Sequence, residues 1–248
     1  MGRSALKQNS GERRVELPHN LGQRVGILGG TFDPVHNGHL AIAEAVRQAL
    51  ALSSILFVPA FLPPHKPTYT ISAFPHRAAM LELAVADRPG FSVSRLEAER
   101  EGPSYSIDTL KALRGLLGPE AELFFITGMD AFAEIDTWKA NRELLDHASF
   151  VVIGRPDHCQ QSCGQTVAAN FPGYTFVEAH GRWQGEPGQG AIYPVAMAPI
   201  KVSSTEIREA IRQGRSVREL VPAAVADYVE AQGLYIGDIN LLSPHSGQ

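Results

Sequence analysis

Two histidines, His36 and His39, lie three residues apart in a stretch whose neighbours are small or turn-forming. Gly29 and Gly30 directly follow an apolar run, so the backbone there can adopt positive φ and approach a ligand without a Cβ in the way. A helix beginning near His36 would direct its N-terminal amide groups and its positive dipole end toward the same place. Imidazole and amide donors that converge in this way suit phosphate oxygens whose negative charge grows during phosphoryl transfer.

Other interpretations of this stretch start from the same residues. Either histidine could cap a helix or pack in the core of an ordinary strand, turn and helix. The stretch contains neither G-x-x-x-x-G-K-[ST] nor G-x-G-x-x-G, so it is neither a P-loop nor the usual dinucleotide fingerprint. A zinc site is incomplete, because two histidines at this spacing have no neighbouring cysteine or glutamate ligand.

A second stretch, residues 202–211, places hydroxyl side chains at the start of an apolar-periodic run. Ser203, Ser204 and Thr205 precede a glutamate, which is the signature of a helix N-terminus. Arg208, one turn later, could make bidentate contacts with a phosphate. A plain capping box followed by a solvated arginine explains the same residues, so this stretch alone does not decide between the two.

At these two motifs the chain closely resembles the nucleotidyltransferase superfamily marked by H-x-G-H and a downstream S-S-T-x-I-R helix start. The matching residues are 36–39 and 203–208, and the resemblance extends from about residue 24 to residue 235. Within the superfamily the chain is similar to bacterial nicotinate-mononucleotide adenylyltransferases. The supporting segments are PPHK (63–66), HRAAMLELAVAD (76–87), PSYSIDTL (103–110), TGMDAF (127–132), TW (137–138) and GRP (154–156).

The resemblance implies a reaction and leaves alternatives. The 5′-phosphate of nicotinate mononucleotide would attack the α-phosphorus of ATP and release pyrophosphate, with Mg²⁺ accompanying ATP and no covalent enzyme intermediate. Because the nucleophile is already an anion, catalysis would rest on positioning and charge stabilisation. The alternatives are a related adenylyltransferase acting on nicotinamide mononucleotide or phosphopantetheine, and a nucleotide-binding regulator without turnover.

The resemblance also implies which residues act on each substrate. The catalytic residues would be His36, His39 and Arg208. The ATP-binding residues would be Gly29, His36, His39, Gly128, Asp130, Arg155, Ser203, Ser204, Thr205 and Arg208. The mononucleotide-binding residues would be Gly30, Thr31, Phe32, Lys66, Ser104, Tyr105, Ser106 and Trp138. Ser106 stands where the family commonly has threonine, and no protein ligand to a metal is implied.

Several of these residues have a simpler explanation that the sequence leaves open. Trp138 could stack on the pyridine ring, or it could be a core or interface residue. Asp130 could accept a hydrogen bond from a ribose hydroxyl or cap the following helix, and Ser104 or Ser106 could likewise only cap a helix. Lys66 and Arg155 could be solvated surface charges.

Short β-rich runs alternate with helical patterns along the chain, which is typical of a doubly wound parallel sheet. Predicted strands are 24–28, 55–59, 91–95, 123–127, 150–153 and 192–196, and predicted helices are 39–52, 75–86, 106–117, 141–147, 202–211 and 222–231. Such sheets bind ligands outside the carboxyl ends of their strands, where residues 29–39 and 127–130 would both lie. We therefore predict an α/β, Rossmann-like fold with a small C-terminal helical subdomain.

The predicted organisation has four parts. They are a flexible leader at 1–22, the nucleotidyltransferase core at 23–200, a helical subdomain at 201–236 and a flexible tail at 237–248. Residues 156–190 are rich in Gly, Pro, Gln and His and are predicted to be surface loop with one weak strand at 174–177. His158, Cys159, Cys163 and His180 match no zinc template, so we expect no metal site there.

The amino-acid composition argues against some classes of binding partner. The 22 basic and 26 acidic residues give a formal net charge of −4, which provides no global basic field for a nucleic acid. No apolar stretch approaches the roughly 20 residues that span a bilayer, and the N-terminus shows no secretory signal. Two cysteines suit a reducing compartment. The expectation is a cytoplasmic enzyme without membrane or nucleic-acid partners, and a homo-oligomer is left open.

Overall fold

A computed structural model describes residues 17–18, 21–64 and 71–237 of the chain. Eight described strands form one sheet: β1 (Arg24–Gly30), β2 (Ser54–Pro59), β3 (Phe91–Val93), β4 (Glu122–Gly128), β5 (Ser149–Gly154), β6 (Thr175–Val177), β7 (Arg182–Gln184) and β8 (Ile192–Ala196). The helices in the same part of the chain are α1 (Asn37–Ala49), α2 (Phe74–Val85), α3 (Ser106–Leu117), α4 (Met129–Ala133), α5 (Cys159–Asn170), α6 (Ser204–Arg212) and α7 (Ala223–Ala231). Short 3-10 helices cover Leu96–Glu99, Ile135–Thr137, Asn141–Asp146 and Glu178–His180.

The strand order explains where a ligand can bind. The order is β3-β2-β1-β4-β5-β8-β7-β6, and the first six strands in it are parallel. Because β1 pairs with β2 on one side and with β4 on the other, the direction of winding reverses between β1 and β4. A crevice forms at such a reversal, outside the carboxyl ends of the strands. The predicted α/β doubly wound sheet is confirmed, and Gly30 and Gly128 end the two strands at the crevice.

The sheet is buried on both faces. Along β4, Leu123 and Phe125 belong to one hydrophobic cluster and Phe124 and Ile126 to the other. Strands covered by helices on both sides have near-continuous apolar sequences of this kind, because successive side chains point to opposite faces. The central strands are therefore rigid supports for the loops that leave their carboxyl ends.

The C-terminal helices α6 and α7 pack against the same cluster as α1 and α2. Their contribution is apolar, with Ile207, Ala210, Val225 and Val229 all buried. The predicted helical subdomain consequently shares its hydrophobic packing with the core. The predicted leader falls almost entirely outside the described residues, and so does the predicted tail except Gly237. In the described ranges, every helix is too short or too polar to cross a membrane.

The prediction of a surface loop at 156–190 is wrong, although its weak strand at 174–177 is confirmed as β6. The segment contains α5 and the antiparallel pair β6 and β7, which extend the sheet beyond β8. Helix α5 is polar in composition and buries only Cys159, Cys163 and Val167, one residue per turn. Free cysteine packs as a small apolar side chain, so two of the three buried contacts did not count as hydrophobic signals. The predicted helix at 141–147 is also wrong in type, because residues Asn141–Asp146 form a 3-10 helix.

Candidate active site

The connection between β1 and α1 brings the two histidines together. His36 is the N-cap of α1 with extended backbone angles, φ −141° and ψ 168°, and His39 is the third helical residue. The N–H of His36 donates to Nδ1 of His39 at 3.2 Å. The rings stack with their centroids 3.7 Å apart and their planes 24° from parallel. His36 therefore does cap the helix by its backbone position. The same geometry brings the two imidazoles together.

The contact from His36 fixes the protonation pattern of the neutral His39 ring. Nδ1 is an acceptor in this contact, so the ring proton of the neutral form lies on Nε2. Phe32 packs its ring edge-on against His39 with the centroids 4.9 Å apart. The neighbouring hydrogen bond and the aromatic contact together restrict the orientation of the imidazole. His39 is thereby held as an Nε2–H donor.

Gly38 lies between the two histidines in the sequence, at a position where an added side chain would crowd its neighbours. A Cβ added there would lie 2.9 Å from Cγ1 of Val202 and 3.0 Å from Nδ1 of His36. Atoms at that separation overlap, so a side chain would displace the His36 imidazole or the segment before α6. The spacing His-x-Gly-His is thus a steric requirement of the stacked pair in this chain.

Two neighbouring cavities open beside the histidine pair. The first has a volume of about 440 Å³ and is lined by His36, and the second has a volume of about 400 Å³ and is lined by His39. Ile42, Gly128 and Ile153 line both cavities. The stacked rings therefore stand where the two cavities adjoin, with one histidine facing each.

Many of the predicted binding residues line these cavities. In the first cavity they are His36, Gly128, Asp130 and Arg155. In the second they are Gly29, Gly30, His39, Ser104, Ser106, Gly128 and Trp138. Four of the ten predicted ATP residues thus line the first cavity, and four of the eight predicted mononucleotide residues line the second. Gly29 and His39, predicted for ATP, line the second cavity.

The carboxyl end of β4 supplies the wall of the first cavity. Gly128 is the extended N-cap of α4, and Asp130 lies in the first turn of that helix with an exposed side chain. Asp130 is therefore not the cap, and the simpler explanation offered for it is wrong. Arg155 follows β5 and is also exposed. Both charged groups are placed to reach a polar ligand in the first cavity.

Trp138 combines the two roles considered for it. Its ring meets Phe125 edge-on at a centroid distance of 6.0 Å and Phe150 at 6.5 Å, so part of it packs on the core. It also lines the second cavity. Because the aromatic neighbours restrict its rotation, the indole gives that cavity a rigid apolar wall.

The serine segment before α3 forms another wall of the second cavity. The Oγ of Ser104 accepts from the N–H of Leu62 at 3.0 Å, while its own N–H donates to the Leu62 carbonyl at 2.8 Å. Tyr105, rather than either serine, is the N-cap of α3. The ring of Tyr105 lies under the ammonium group of Lys139 at 4.8 Å and lines neither cavity. Ser104 and Ser106 thus line the second cavity, and neither of them caps α3.

Residues 203–208 are hydrogen-bonded directly to the loop that carries the two histidines. Ser203 caps α6 by accepting from the N–H of Glu206 at 3.2 Å. The hydroxyl of Ser204 donates to the carbonyl of Pro34 at 2.9 Å, and the guanidinium of Arg208 donates to the carbonyl of Asp33 at 2.7 Å. Helix α6 is thereby attached to the loop that carries the histidines.

Some predicted residues do not line either cavity. They are Thr31, Phe32, Tyr105, Ser203, Ser204, Thr205 and Arg208. Phe32 is 2% exposed, and its ring packs edge-on against the imidazole of His39. Lys66 lies outside the described residues.

The chain is similar in sequence to a known family and to named proteins of two bacteria. The model of the cytidylyltransferase-like family matches residues 27–210. A protein of Geotalea uraniireducens is 41% identical over 213 residues, covering 86% of this chain and 98% of that protein. One of Thermus thermophilus is 42% identical over 212 residues, covering 86% and 99%. Both carry the name "probable nicotinate-nucleotide adenylyltransferase". The chain belongs to the nicotinate-nucleotide adenylyltransferase family.

The fold is shared with more distant members whose structures are solved. The nicotinic acid mononucleotide adenylyltransferase of Plasmodium falciparum, in complex with NaAD, superimposes with a TM-score of 0.65 at 19% identity. The match covers 86% of this chain and 97% of that one. A likeness at this identity confirms the architecture of the nicotinate-nucleotide adenylyltransferase fold.

Two charged residues of this adenylyltransferase were missed by sequence reasoning. Arg77 is 2% exposed, and its guanidinium donates to the carbonyls of Thr31 at 2.7 Å and Ser72 at 3.0 Å. Glu97, 8% exposed, lines the second cavity and accepts from the hydroxyl of Thr109 at 2.6 Å. The available signal for Arg77 was a charge inside the apolar pattern of α2. Glu97 lies in a 3-10 helix with no periodicity to mark it.

Candidate metal ligands are dispersed in the described part of the protein. In the ranges that the structure covers, no three His, Cys, Asp or Glu side chains are grouped closely enough to hold an ion. Cys159 and Cys163 are buried free thiols whose pKa values are raised by burial, to about 12 for Cys163. A divalent ion in this enzyme would therefore have to arrive with a ligand that supplies most of the oxygen donors.

His36 is uncharged at neutral pH. It is 7% exposed, and loss of solvation lowers its pKa to about 4, although the negative charge of Glu206 opposes the change. Its Nδ1 is buried and has no hydrogen-bond partner among the described residues. The ring of His36 therefore lines the first cavity without adding charge.

The lowered pKa predicts a loss of stability in acid. The unfolded His36 binds a proton below about 6.5 and the folded one only below about 4, so the unfolded state holds more protons in that window. The contribution of His36 to the free energy of unfolding should be complete above pH 6.5. It should fall by about 3 kcal/mol as the pH drops to 4. Urea titrations of wild type and His36→Asn should show a smaller decrease in the variant, because asparagine caps helices and does not titrate. Equal decreases in both proteins contradict this assignment of the pKa.

Proposed function

We propose that the protein transfers the adenylyl group of ATP to nicotinate mononucleotide, giving nicotinate adenine dinucleotide and pyrophosphate for NAD biosynthesis. The observation that carries the proposal is the stacked histidine pair at the junction of two cavities, one histidine lining each. Two substrates in adjacent cavities meet at that junction. The relatives named nicotinate-nucleotide adenylyltransferase support the identity of the substrates.

The reaction needs no covalent intermediate with the protein. An oxygen of the mononucleotide 5′-phosphate forms a bond to the α-phosphorus of ATP while the bond from that phosphorus to the bridging oxygen breaks. The electron pair leaves with pyrophosphate. Since the attacking oxygen is already ionised, the protein has to align the groups and stabilise the negative charge on the phosphoryl oxygens. The proposed mechanism requires no strong base among the described residues.

The residues at the junction are suited to that task. His39, with its proton on Nε2, donates to an oxygen of the α-phosphate. The positive end of the α1 dipole lies at the same loop and adds to this stabilisation, although the N–H of Asn37 already donates to the carbonyl of Leu220 at 2.9 Å. The uncharged His36 orients His39 through its N–H and presents its own ring edge to the ATP phosphates. These donors are fixed before substrate arrives, so little reorganisation opposes the reaction.

The two cavities divide the substrates between them. ATP lies in the first, with its adenosine part against Gly128, Asp130 and Arg155. Its triphosphate extends toward Ser203, Ser204, Thr205 and Arg208, and Mg²⁺ enters bound to those phosphates, since the described chain has no metal cluster of its own. Nicotinate mononucleotide lies in the second, with its ring on Trp138 and its carboxylate at residues 104–106. Gly30 lines the same cavity, whereas Thr31 and Phe32 do not, and a contact from Lys66 stays a prediction. Binding of Arg208 to phosphate requires the guanidinium donors that its contact with Asp33 leaves unused.

The deciding experiment measures pyrophosphate release from Mg-ATP with three acceptors in parallel. We expect nicotinate mononucleotide to give a kcat/KM at least about tenfold above nicotinamide mononucleotide, because buried donors intended for a carboxylate are mismatched by an amide. Phosphopantetheine should give the lowest value. Preference for the amide or for phosphopantetheine would replace the proposed substrate. Calorimetric binding of both nucleotides without product would instead indicate a regulator. The cytoplasmic location expected from the sequence stays a prediction.

Trp138 offers a test of the mononucleotide site. Replacing it with alanine should raise the KM for nicotinate mononucleotide by about 2-fold to 30-fold, the range expected when ring stacking worth about 0.5–2 kcal/mol is lost. The KM for ATP should change less, because Trp138 lines only the second cavity. Trp138→Phe keeps an aromatic face and should recover most of the affinity. Equal increases in both KM values would show that Trp138 acts only through the core.

A further inference from the structure

Asp33, three residues before His36, is a buried carboxylate held by distant parts of the chain. It is 3% exposed. Its Oδ1 accepts from the hydroxyl of Tyr235 at 2.7 Å, and its Oδ2 accepts from the N–H of Ser72 at 3.1 Å. A buried charge requires such partners, because leaving it unpaired is costly. The loop that carries the histidines is thus fixed at Asp33 by the segment before α2 and by the end of the described chain.

Tyr235 is a permanent donor to this carboxylate. Burial, followed by the charge and hydrogen bond of Asp33, raises the pKa of Tyr235 well above its usual value of 10, so the hydroxyl keeps its proton. The residue has φ 65°, a left-handed conformation that is uncommon for an aromatic residue and persists where the surroundings determine it. The contact spans 202 residues of sequence. The chain after α7 therefore turns back to reach the first loop.

The backbone on both sides of Asp33 is restricted by packing and hydrogen bonding. Val35, between Asp33 and His36, is fully buried. On the other side of Asp33, the guanidinium of Arg77 holds the carbonyl of Thr31 at 2.7 Å. The Asp33 carboxylate and the backbone that leads into His36 are thus held in place together by neighbouring contacts.

We infer that Tyr235 is a positioning residue for adenylyl transfer, acting through Asp33 on the placement of His36 and His39; this rests on the proposed function. Tyr235 and Asp33 line neither cavity, so they have no direct part in substrate affinity. Misplacing a reacting group by about 1 Å can cost about 100-fold in rate without a comparable loss of binding. Replacement of Tyr235 should therefore lower kcat and leave the KM values nearly unchanged.

The test compares Tyr235→Phe with Tyr228→Phe. Tyr228 lies in α7, and its hydroxyl contacts Nδ1 of His76 at 3.0 Å, away from the histidine loop. Tyr235→Phe should lower kcat by about tenfold or more with both KM values within about threefold. Tyr228→Phe removes a similar hydroxyl contact and should leave kcat within about twofold. Melting curves must show both variants folded. Equal kcat values for the two variants, or a loss confined to KM, would overturn the inference.

A double-mutant cycle tests the route through Asp33. In an Asp33→Ala background, Tyr235→Phe should change kcat by less than about twofold, since the acceptor through which it acts is already gone. A full tenfold loss in that background would show another route and overturn the inference. Should Asp33→Ala fail to fold, the comparison of the two tyrosine variants decides alone.

The proposed function and this inference can fail separately. A wild-type protein that makes no dinucleotide from the two substrates refutes the proposed function. The placement of the imidazoles is then read from the ¹H–¹³C NMR shifts of the His36 and His39 rings. Tyr235→Phe should shift both signals and Tyr228→Phe should shift neither. Unchanged shifts in Tyr235→Phe would overturn the positioning role even without turnover.

Discussion

Replacing His39 with alanine is expected to lower kcat for adenylyl transfer by about 100-fold or more, the loss typical of one preorganised donor to a developing charge. Affinity for the mononucleotide should stay within about threefold. The Nε2–H of His39 is aligned by the acceptor role of its Nδ1 and by the stacked His36 ring. Its interaction with the α-phosphate strengthens as charge accumulates, so its removal affects the transition state more than the bound substrate. Steady-state kinetics with both substrates varied separate kcat from the two KM values.

The matched control for this variant is His180→Ala. His180 is an exposed histidine in the short 3-10 helix before β7, and it lines neither cavity. Its replacement should leave all kinetic constants unchanged. If His39→Ala raised KM with kcat intact, His39 would contribute uniform binding only. An unchanged kcat would remove His39 from the proposed mechanism.

The central fold could be predicted from sequence because local signals agree there with the tertiary structure. The buried parallel strands are continuous apolar runs, as in β1 and β4, and each is followed by a turn rich in glycine or by a helix start. Two such strand ends at one switch point place Gly30 and Gly128 at one crevice. The positions of His36 and His39 follow from the same connection between strand and helix. Short-range spacing was sufficient for this part of the site.

Long-range contacts of polar residues could not be predicted in the same way. The carboxylate of Asp33 meets Tyr235, and Arg77 meets the carbonyl of Thr31, through side chains whose sequence neighbours give no periodic signal. Helix α5 was missed for a related reason, because its buried stripe uses Cys159 and Cys163 in a polar sequence. Pairing of this kind depends on tertiary packing, which a single sequence does not specify by pattern alone.

Replacing Gly38 with alanine is expected to lower kcat by about 10-fold to 100-fold while the protein remains folded, because a small displacement of a reacting group has a large effect on rate. The added Cβ would overlap Cγ1 of Val202 and Nδ1 of His36, at 2.9 and 3.0 Å. The His36 ring would have to tilt away, and the stacked contact that orients His39 would be lost with it. The measurement is kcat together with the ¹H–¹³C NMR signals of the two imidazoles.

Gly115→Ala is the matched control, because it makes the same substitution inside another helix. Gly115 is an exposed position of α3, and a Cβ added there meets nothing within 4 Å. Alanine should raise the free energy of unfolding by about 0.4–1 kcal/mol, since the unfolded chain loses conformational freedom and the helix gains a better former. The two variants thus separate the general effect of alanine in a helix from the steric effect beside His36. If Gly38→Ala retained full kcat, the close fit around His36 would not be a requirement of the reaction.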